Sequence, residues 1–257
     1  MIKIKTPQEI EIMAEGGKIL AKIMDELKKN VRPGITTMEL EKLAESLILK
    51  AGGKCSFKGY KSKDKESIRP YPFCLCTSVN EEIVHVPPSN RVLKEGDILK
   101  LDLGISYKGF HTDMAITVPV GKVSFEAQRL IRVTKKALKL AIKKARPGNT
   151  FGDIGNTIQR YVESQGFNVV RELCGHGIGR ELHEDPQILN YGKRKTGEKI
   201  KEGMVFCIEP MVTAGDWHLK RTKDGFGYQT VDGSLTAHFE HTVAVMKNGV
   251  RVLTNLK

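Results

Sequence analysis

Four carboxylates stand at matched places in two pairs of similar segments. Lys94-Glu95-Gly96-Asp97-Ile98-Leu99-Lys100-Leu101-Asp102 returns as Lys201-Glu202-Gly203-Met204-Val205-Phe206-Cys207-Ile208-Glu209, so Asp102 and Glu209 close the same frame. His111-Thr112-Asp113, opening a run of strand formers, returns as His238-Phe239-Glu240 and sets Asp113 against Glu240. Buried acids brought together resist joint ionisation, so a chain that gathers four of them needs a counter-charge. Two divalent ions balance the four formal charges, and a neutral imidazole adds a ligand without adding charge. Carboxylate and imidazole donors without thiolate suit Mn, Fe, Co or Zn. Bridging carboxylates hold such ions about 3.5 to 4 Å apart, with an activated water between them.

Two strands carry the first pair of acids. With Tyr107-Lys108 as a two-residue turn, Ser106 faces Gly109 and Asp102 falls directly opposite Asp113, both on one face. A slip of one residue separates them onto opposite faces.

Three histidines are candidates to complete the set. His176 lies in Cys174-Gly175-His176-Gly177-Ile178-Gly179, where glycines allow close backbone approach, and it is the strongest candidate ligand. His85, before Pro87-Pro88, and His183 each read equally well as ligands or as satisfied polar groups. His111 reads as a structural or supporting group near Asp113, His218 as a surface residue, and His238 as a weaker candidate. His241, next to Glu240, is expected on the other face of the sheet.

The elements that position these residues also repeat. Thr6-Pro7-Gln8-Glu9 is a capping box with proline at the first helical position, predicting a helix to about residue 30. Arg32-Pro33-Gly34 breaks the chain and a second helix covers 38–50, with Thr37 as its cap. Arg146-Pro147-Gly148 repeats the break 114 positions on, between helices predicted at 129–145 and 153–165. Two copies are too few for a solenoid. They imply two related halves, about 1–120 and 121–257, in a single catalytic domain. Residues 54–69 read as a lysine-rich surface loop, and 73–79, 83–86 and 97–118 as strands. Helix pairs alternating with antiparallel strands give an α+β fold, with helices over one face of a curved sheet.

At 257 residues the chain is long enough to bury a substantial core. No apolar run approaches the 18 or so residues of a membrane span. The N-terminal segment lacks a signal-peptide pattern, so a cytoplasmic address and no membrane association are expected. Five cysteines without a Cys-x-x-Cys spacing speak against a disulfide framework or structural zinc, and read as buried thiols. The net charge of +12 favours polyanionic neighbours. It concentrates at 129–146, where Arg129, Arg132, Lys135, Lys136, Lys139, Lys143, Lys144 and Arg146 occur without an acid. That stretch reads as a solvated helix face or as a docking surface for the ribosome and its RNA.

Further motifs carry a specific resemblance: Asn80-Glu81-Glu82-Ile83-Val84-His85, Leu101-Asp102-Leu103-Gly104, Thr112-Asp113, Gly175-His176-Gly177-Ile178-Gly179, His183-Glu184, Ile208-Glu209-Pro210 and Phe239-Glu240-His241-Thr242. Over essentially its whole length the chain resembles the type I, bacterial-type methionine aminopeptidases, metallopeptidases of the pita-bread fold. The resemblance implies metal ligation by Asp102, Asp113, His176, Glu209 and Glu240, with two divalent ions (Co, Mn, Fe or Zn). It implies catalytic roles for His85, His183 and Glu209, with Glu209 also acting as general base. It makes Tyr71, Cys76 and Phe226 a methionine pocket, with His85 and His183 also touching substrate. The implied reaction is hydrolytic removal of the initiator methionine from nascent polypeptides, with small second residues preferred, by a monomer. Leu182 departs from the family's phenylalanine, His238 from its glutamine, and Arg69 with the lysine-rich loop from a more neutral stretch. The alternative in the same fold is a proline-specific aminopeptidase or dipeptidase. Such enzymes usually carry an extra N-terminal domain, whereas the first capped helix here begins by residue 7. A metal-free RNA- or ribosome-binding module is a third reading, disfavoured because all five ligand positions are intact.

Overall fold

The computed structural model describes residues 1–61 and 69–256; positions 62–68 of the lysine-rich 54–69 stretch lie outside them. The chain runs α1 (Pro7–Asn30), α2 (Thr37–Lys50), β1 (Lys54–Cys55), β2 (Leu75–Val79), β3 (Glu82–Val84), β4 (Ile98–Tyr107) and β5 (Phe110–Pro119). It continues through α3 (Phe125–Ile142), α4 (Phe151–Ser164), β6 (Asn168–Val169), β7 (Cys174–Gly177), β8 (Glu184–Leu189), β9 (Val205–Ile208) and β10 (Met211–Thr213). The last strands are β11 (Leu219–Arg221), β12 (Tyr228–Thr230), β13 (Thr236–His238), β14 (Glu240–Met246) and β15 (Gly249–Val252).

Local chemistry fixes the helix starts. Thr6 accepts a bond from the Glu9 N–H and Glu9 answers by accepting from the Thr6 N–H, with Pro7 in the first turn. The second cap is Thr36 rather than Thr37, because Glu39 stands three residues after it and closes the box. Thr150 and Asp153 form the matching box at α4, at the same repeat interval. Each of these threonines also makes an isolated antiparallel bridge, Thr36 to Val92 and Thr150 to Lys199. The bridge partners are separated by the interval that separates Asp102 from Glu209. Ser124 caps α3 through the Ala127 N–H and starts it four residues earlier than expected; α3 ends at Ile142, ahead of the turn that leads into Arg146-Pro147.

A nine-stranded antiparallel sheet joins the halves in the order β1-β4-β5-β14-β9-β7-β8, with β2 also on β4 and β15 also on β14. The helices α1 and α2 bury Leu20, Met24, Leu27, Leu40 and Ile48 against Leu75, Leu99, Leu101 and Leu103. The second pair, α3 and α4, buries Leu130, Ala137, Ile154 and Ile158 against Phe206, Ile208 and Val243. Each fully buried aliphatic side chain contributes about 2 kcal/mol. A third cluster, with Met13, Phe57, Tyr71, Cys76, Ile178, Leu182 and Cys207, draws on both halves. The α+β architecture therefore agrees with the sequence reading.

Two further expectations are corrected. The β4–β5 turn is Lys108-Gly109, so Tyr107 faces Phe110, Asp102 faces Ala115, and Asp113 faces Gly104. Both turn residues take positive φ (49° and 82°), as a two-residue hairpin requires, and glycine accepts that conformation where tyrosine would be strained. The register differs by an even number of residues, so the two aspartates still share a face, diagonally rather than directly opposed. Second, Cys55 and Cys74 form a disulfide, while Cys76, Cys174 and Cys207 are free. Both β1 and β2 lie along one edge of β4, Cys55 facing Ile105 and Leu75 facing Leu103, and this brings the two cysteines end to end. No linear spacing signals that. Among the described residues, no helix is long and apolar enough to cross a membrane.

Candidate metal centre

The four repeat carboxylates converge where the halves meet. Residue Glu240 opens β14, whose first residues pair with β5 at Ala115 and Met114. On its other side His241 faces Ile208 of β9, which sets Glu209 beside Glu240 at the end of the ladder. Asp102 and Asp113 come in from β4 and β5. Two threonines hold the junction. The Thr242 hydroxyl donates to the Asp113 carbonyl at 2.8 Å and accepts from the Asp113 N–H at 2.9 Å. The Thr117 hydroxyl does the same for His238, donating at 2.7 Å and accepting at 2.9 Å.

Among the described residues, three groups of potential ligands share Glu240: Asp102 with Asp113, His176 with Cys207, and Glu209 with His238. His176 Nε2 lies 3.7 Å from Glu209 Oε1 and 4.0 Å from Glu240 Oε1. Its Nδ1 donates to the Gly177 carbonyl at 2.9 Å, which leaves Nε2 with its lone pair toward the carboxylates. The flanking glycines are needed for this approach. A Cβ on Gly175 would run into the Cys207 carbonyl oxygen, and one on Gly177 into that of Asp185.

The electrostatics fit cations. Burial and the charge of Asp113 push the Asp102 carboxyl far above its ordinary range, and burial pushes Asp113 up to about 7. Burial, with the neighbouring aspartates, drives Glu209 and Glu240 well up too. Burial holds His176 down at about 4 and His238 at about 3, so both imidazoles are neutral donors. Asp102 Oδ1, Glu240 Oε1 and both His238 ring nitrogens are buried without a hydrogen-bond partner. Burying unpartnered polar atoms is costly, and a divalent ion would satisfy them and relieve the repulsion among the acids.

The remaining predicted residues surround this cluster. The His183 ring lies 4.2 Å from that of His176, and its Nδ1 is 2.7 Å from the Tyr60 hydroxyl. Both His183 and His85 are exposed, and His85 takes a left-handed backbone with φ +62° at the end of β3. Cys76 faces Asp102 across β2 and β4. The Tyr71 ring meets Phe226 edge-on at 5.5 Å, and its hydroxyl donates to the Leu75 carbonyl at 2.9 Å. The Arg69 guanidinium caps Phe226 at 4.7 Å. Leu182 is buried in the same mixed cluster. His111 is held by Ser56 at 2.8 Å, His218 pairs with Asp216 on the surface, and His241 turns to Thr254 at 2.9 Å. Sequence reasoning ranked His238 too low and passed over Cys207. The signal for His238 was its place in the repeat, two residues before Glu240.

A carboxylate and imidazole cluster shared by the halves of a curled antiparallel sheet defines a metal-dependent hydrolase of the pita-bread class. The description of metallopeptidase family M24 matches residues 11–247. A methionine aminopeptidase of Bacillus subtilis is 46% identical over all of both chains. The crystal structure of a methionine aminopeptidase from Thermotoga maritima superposes with a TM-score of 0.95 at 46% identity, covering 99% of this chain and all of that one. The chain therefore belongs to metallopeptidase family M24, on its methionine aminopeptidase branch. An Xaa-Pro dipeptidase from Bacillus anthracis superposes with a TM-score of 0.76 at 22% identity, and this chain covers 62% of it. What the proline-specific alternative shares is the fold.

Proposed function

We propose that this protein removes the initiator methionine from nascent polypeptides, favouring small second residues. The observation that carries the proposal is the junction of an acid-imidazole cluster with an apolar cluster, Cys76 lying opposite Asp102 and packing with Tyr71 and Leu182. In this reading residues 1–257 form one catalytic domain with halves near 1–120 and 121–257, supported by a sheet that runs unbroken through β5 and β14.

Asp102, Asp113, His176, Glu209 and Glu240 would hold two divalent ions, with Co, Mn, Fe and Zn all matching the donor set. When bound, the ions supply Lewis acidity and a water acidic enough to ionise near neutrality. Glu209, whose two carboxylate oxygens lie 3.7 Å from His176 and 3.4 Å from His238, would also serve as the general base, taking and returning a proton at its carboxylate. His183, tethered to Tyr60, and His85, fixed by its backbone, would contact the peptide and steady the developing oxyanion. Tyr71, Cys76 and Phe226 would line the methionine pocket, where a thioether gains from apolar contact and larger groups are refused on size.

Release of methionine from a Met-Ala-Ser peptide tests the reading. Asp102→Ala or Glu209→Ala should abolish it and a chelator should stop the native enzyme; full activity in either variant or under chelation defeats the assignment. Preferential cleavage of X-Pro peptides would establish the proline-specific alternative.

The exposed bases Arg132, Lys135, Lys136, Lys139, Lys143 and Arg146 form a face suited to the ribosome, where substrates emerge. Arg129 is partly committed elsewhere, donating to the Gln165 carbonyl at 2.9 Å. Reversing several of the exposed charges should abolish co-sedimentation with ribosomes; unchanged sedimentation removes that partner. The protein is expected to act as a cytoplasmic monomer, which sedimentation analysis and cell fractionation would check.

A further inference from the structure

The imidazole of His238 lies inside the acid cluster, 1% exposed, with neither nitrogen hydrogen-bonded. Its Nε2 is 3.4 Å from Glu209 Oε2 and 3.9 Å from Glu240 Oε2. His176 faces the other oxygen of each carboxylate, at 3.7 and 4.0 Å. The two glutamates thus present one oxygen each to one imidazole and one oxygen each to the other, and His238 is the nearer of the two. The main chain of His238 is fixed from both sides: Thr117 grips its N–H and carbonyl, and β13 pairs it with Met211. The ring is therefore delivered to the carboxylates by a rigid strand end.

We propose that His238 is a further metal ligand, giving the Glu209–Glu240 end of the centre a second nitrogen donor and biasing it toward the later first-row ions. A 3.4 Å approach is too long for a strong hydrogen bond to a carboxylate, yet Glu209, His238 and Glu240 offer atoms all within 4.8 Å of one another, close enough to close on one cation. A buried neutral imidazole with two idle nitrogens carries the desolvation cost of both, and ligation satisfies one of them. Imidazole favours Co, Ni and Zn, whereas carboxylate and water suit Mn and Mg. Glutamine in this place would offer only an amide oxygen or N–H.

The inference rests on the metal-centre reading above, and its test separates the two. In the cobalt-loaded native protein, each histidine bound through one nitrogen keeps a proton on the other. That proton appears as a paramagnetically shifted, solvent-exchangeable proton signal. Two such signals are expected in the native protein, one in His238→Gln and one in His176→Gln. Calorimetry should show His238→Gln weakening zinc binding by about tenfold or more while leaving manganese binding within about threefold. Cobalt uptake with a single histidine signal overturns the inference and leaves the five-ligand reading standing. Failure of the native protein to take up cobalt overturns both. The decisive count is made on the native chain, so it does not depend on either variant folding.

Discussion

His111 and His238 occupy the same place in the repeat, two residues before Asp113 and Glu240, and meet opposite fates. The first half closes its acid pair with a two-residue turn, and β4 and β5 pair without interruption from Ile98 to Pro119. His111 is thereby carried toward the hairpin tip and settles on Ser56. In the second half the chain between Glu209 and Glu240 holds four short strands and the aromatic Phe226. Its ladder is interrupted at Phe239, so His238 ends one strand, Glu240 begins the next, and the ring turns into the acids. A regular hairpin gives the first half rigidity and short aspartates. The second half instead carries the longer glutamates, both interior imidazoles and Phe226, which packs on Tyr71. The matched frame is common to both halves, and the longer segment between Glu209 and Glu240 carries what differs.

The sharpest way to break that comparison is to remove matched acids. Glu240 is common to all three ligand groups whereas Asp113 belongs to one. Glu240→Ala should lose bound metal entirely, and Asp113→Ala should keep about one ion, as read by native mass spectrometry. Equal loss from both would show that the halves contribute alike.

Links between the halves come next. Lys5 and Glu184 form an ion pair at 2.7 Å with both side chains 4% exposed. Glu184→Gln strands a buried ammonium and should cost about 3 kcal/mol in denaturant unfolding. Burial works to raise the Glu184 carboxyl, but the Lys5 bond and charge outweigh it and leave the pKa lowered. A lowered carboxyl stabilises the fold above its unfolded pKa of about 4.3 and loses that contribution as pH falls through the folded value. The gap between native protein and variant should accordingly close on acidification below about pH 4; a constant gap would rule out the ion pair as its source.

Thr242→Val removes the hydroxyl that joins β14 to Asp113 and leaves a buried N–H and carbonyl short of partners. A loss of about 2 kcal/mol is expected, with faster hydrogen exchange at the Asp113 amide. Unaltered exchange there would mean that the strands stay joined without it.

The smallest effect tests how alike the halves are. Gly34 and Gly148 have φ of +89° and +92°, with open space where a Cβ would stand. Alanine at either should cost about 1 to 2 kcal/mol from backbone strain alone, and the two costs should agree within about 0.5 kcal/mol. A larger difference in thermal unfolding would mean that the breaks have diverged.

Much of this was legible because it is local or periodic. Thr6-Pro7-Gln8-Glu9 specifies a helix start through groups three residues apart, and the matched frames at Asp102, Glu209, Asp113 and Glu240 mark the acids through repetition alone. His241 was correctly placed away from the cluster because alternation along a strand fixes which face a neighbour takes. The misjudged residues depend on backbone torsion at a turn or on groups distant in sequence. The β4–β5 register turned on which pair could adopt left-handed torsions. Cys55 and Cys74 meet only because β1 and β2 share an edge of β4. For His238 the repeat gave a position but not a direction.

The sequence by itself therefore determined the α+β class, the capping box that starts α1, the four matched acids and His176, since each follows from short-range bonding or from a pattern carried twice. Tertiary structure decided the disulfide, the diagonal placement of Asp102 and Asp113, and the entry of His238 into the cluster. The aspartate register is set by which two residues could take left-handed torsions at the β4–β5 turn, and the other two outcomes by strand pairing between segments apart in the chain, where one broken ladder redirects a ring that the identical repeat position in the other half leaves on Ser56.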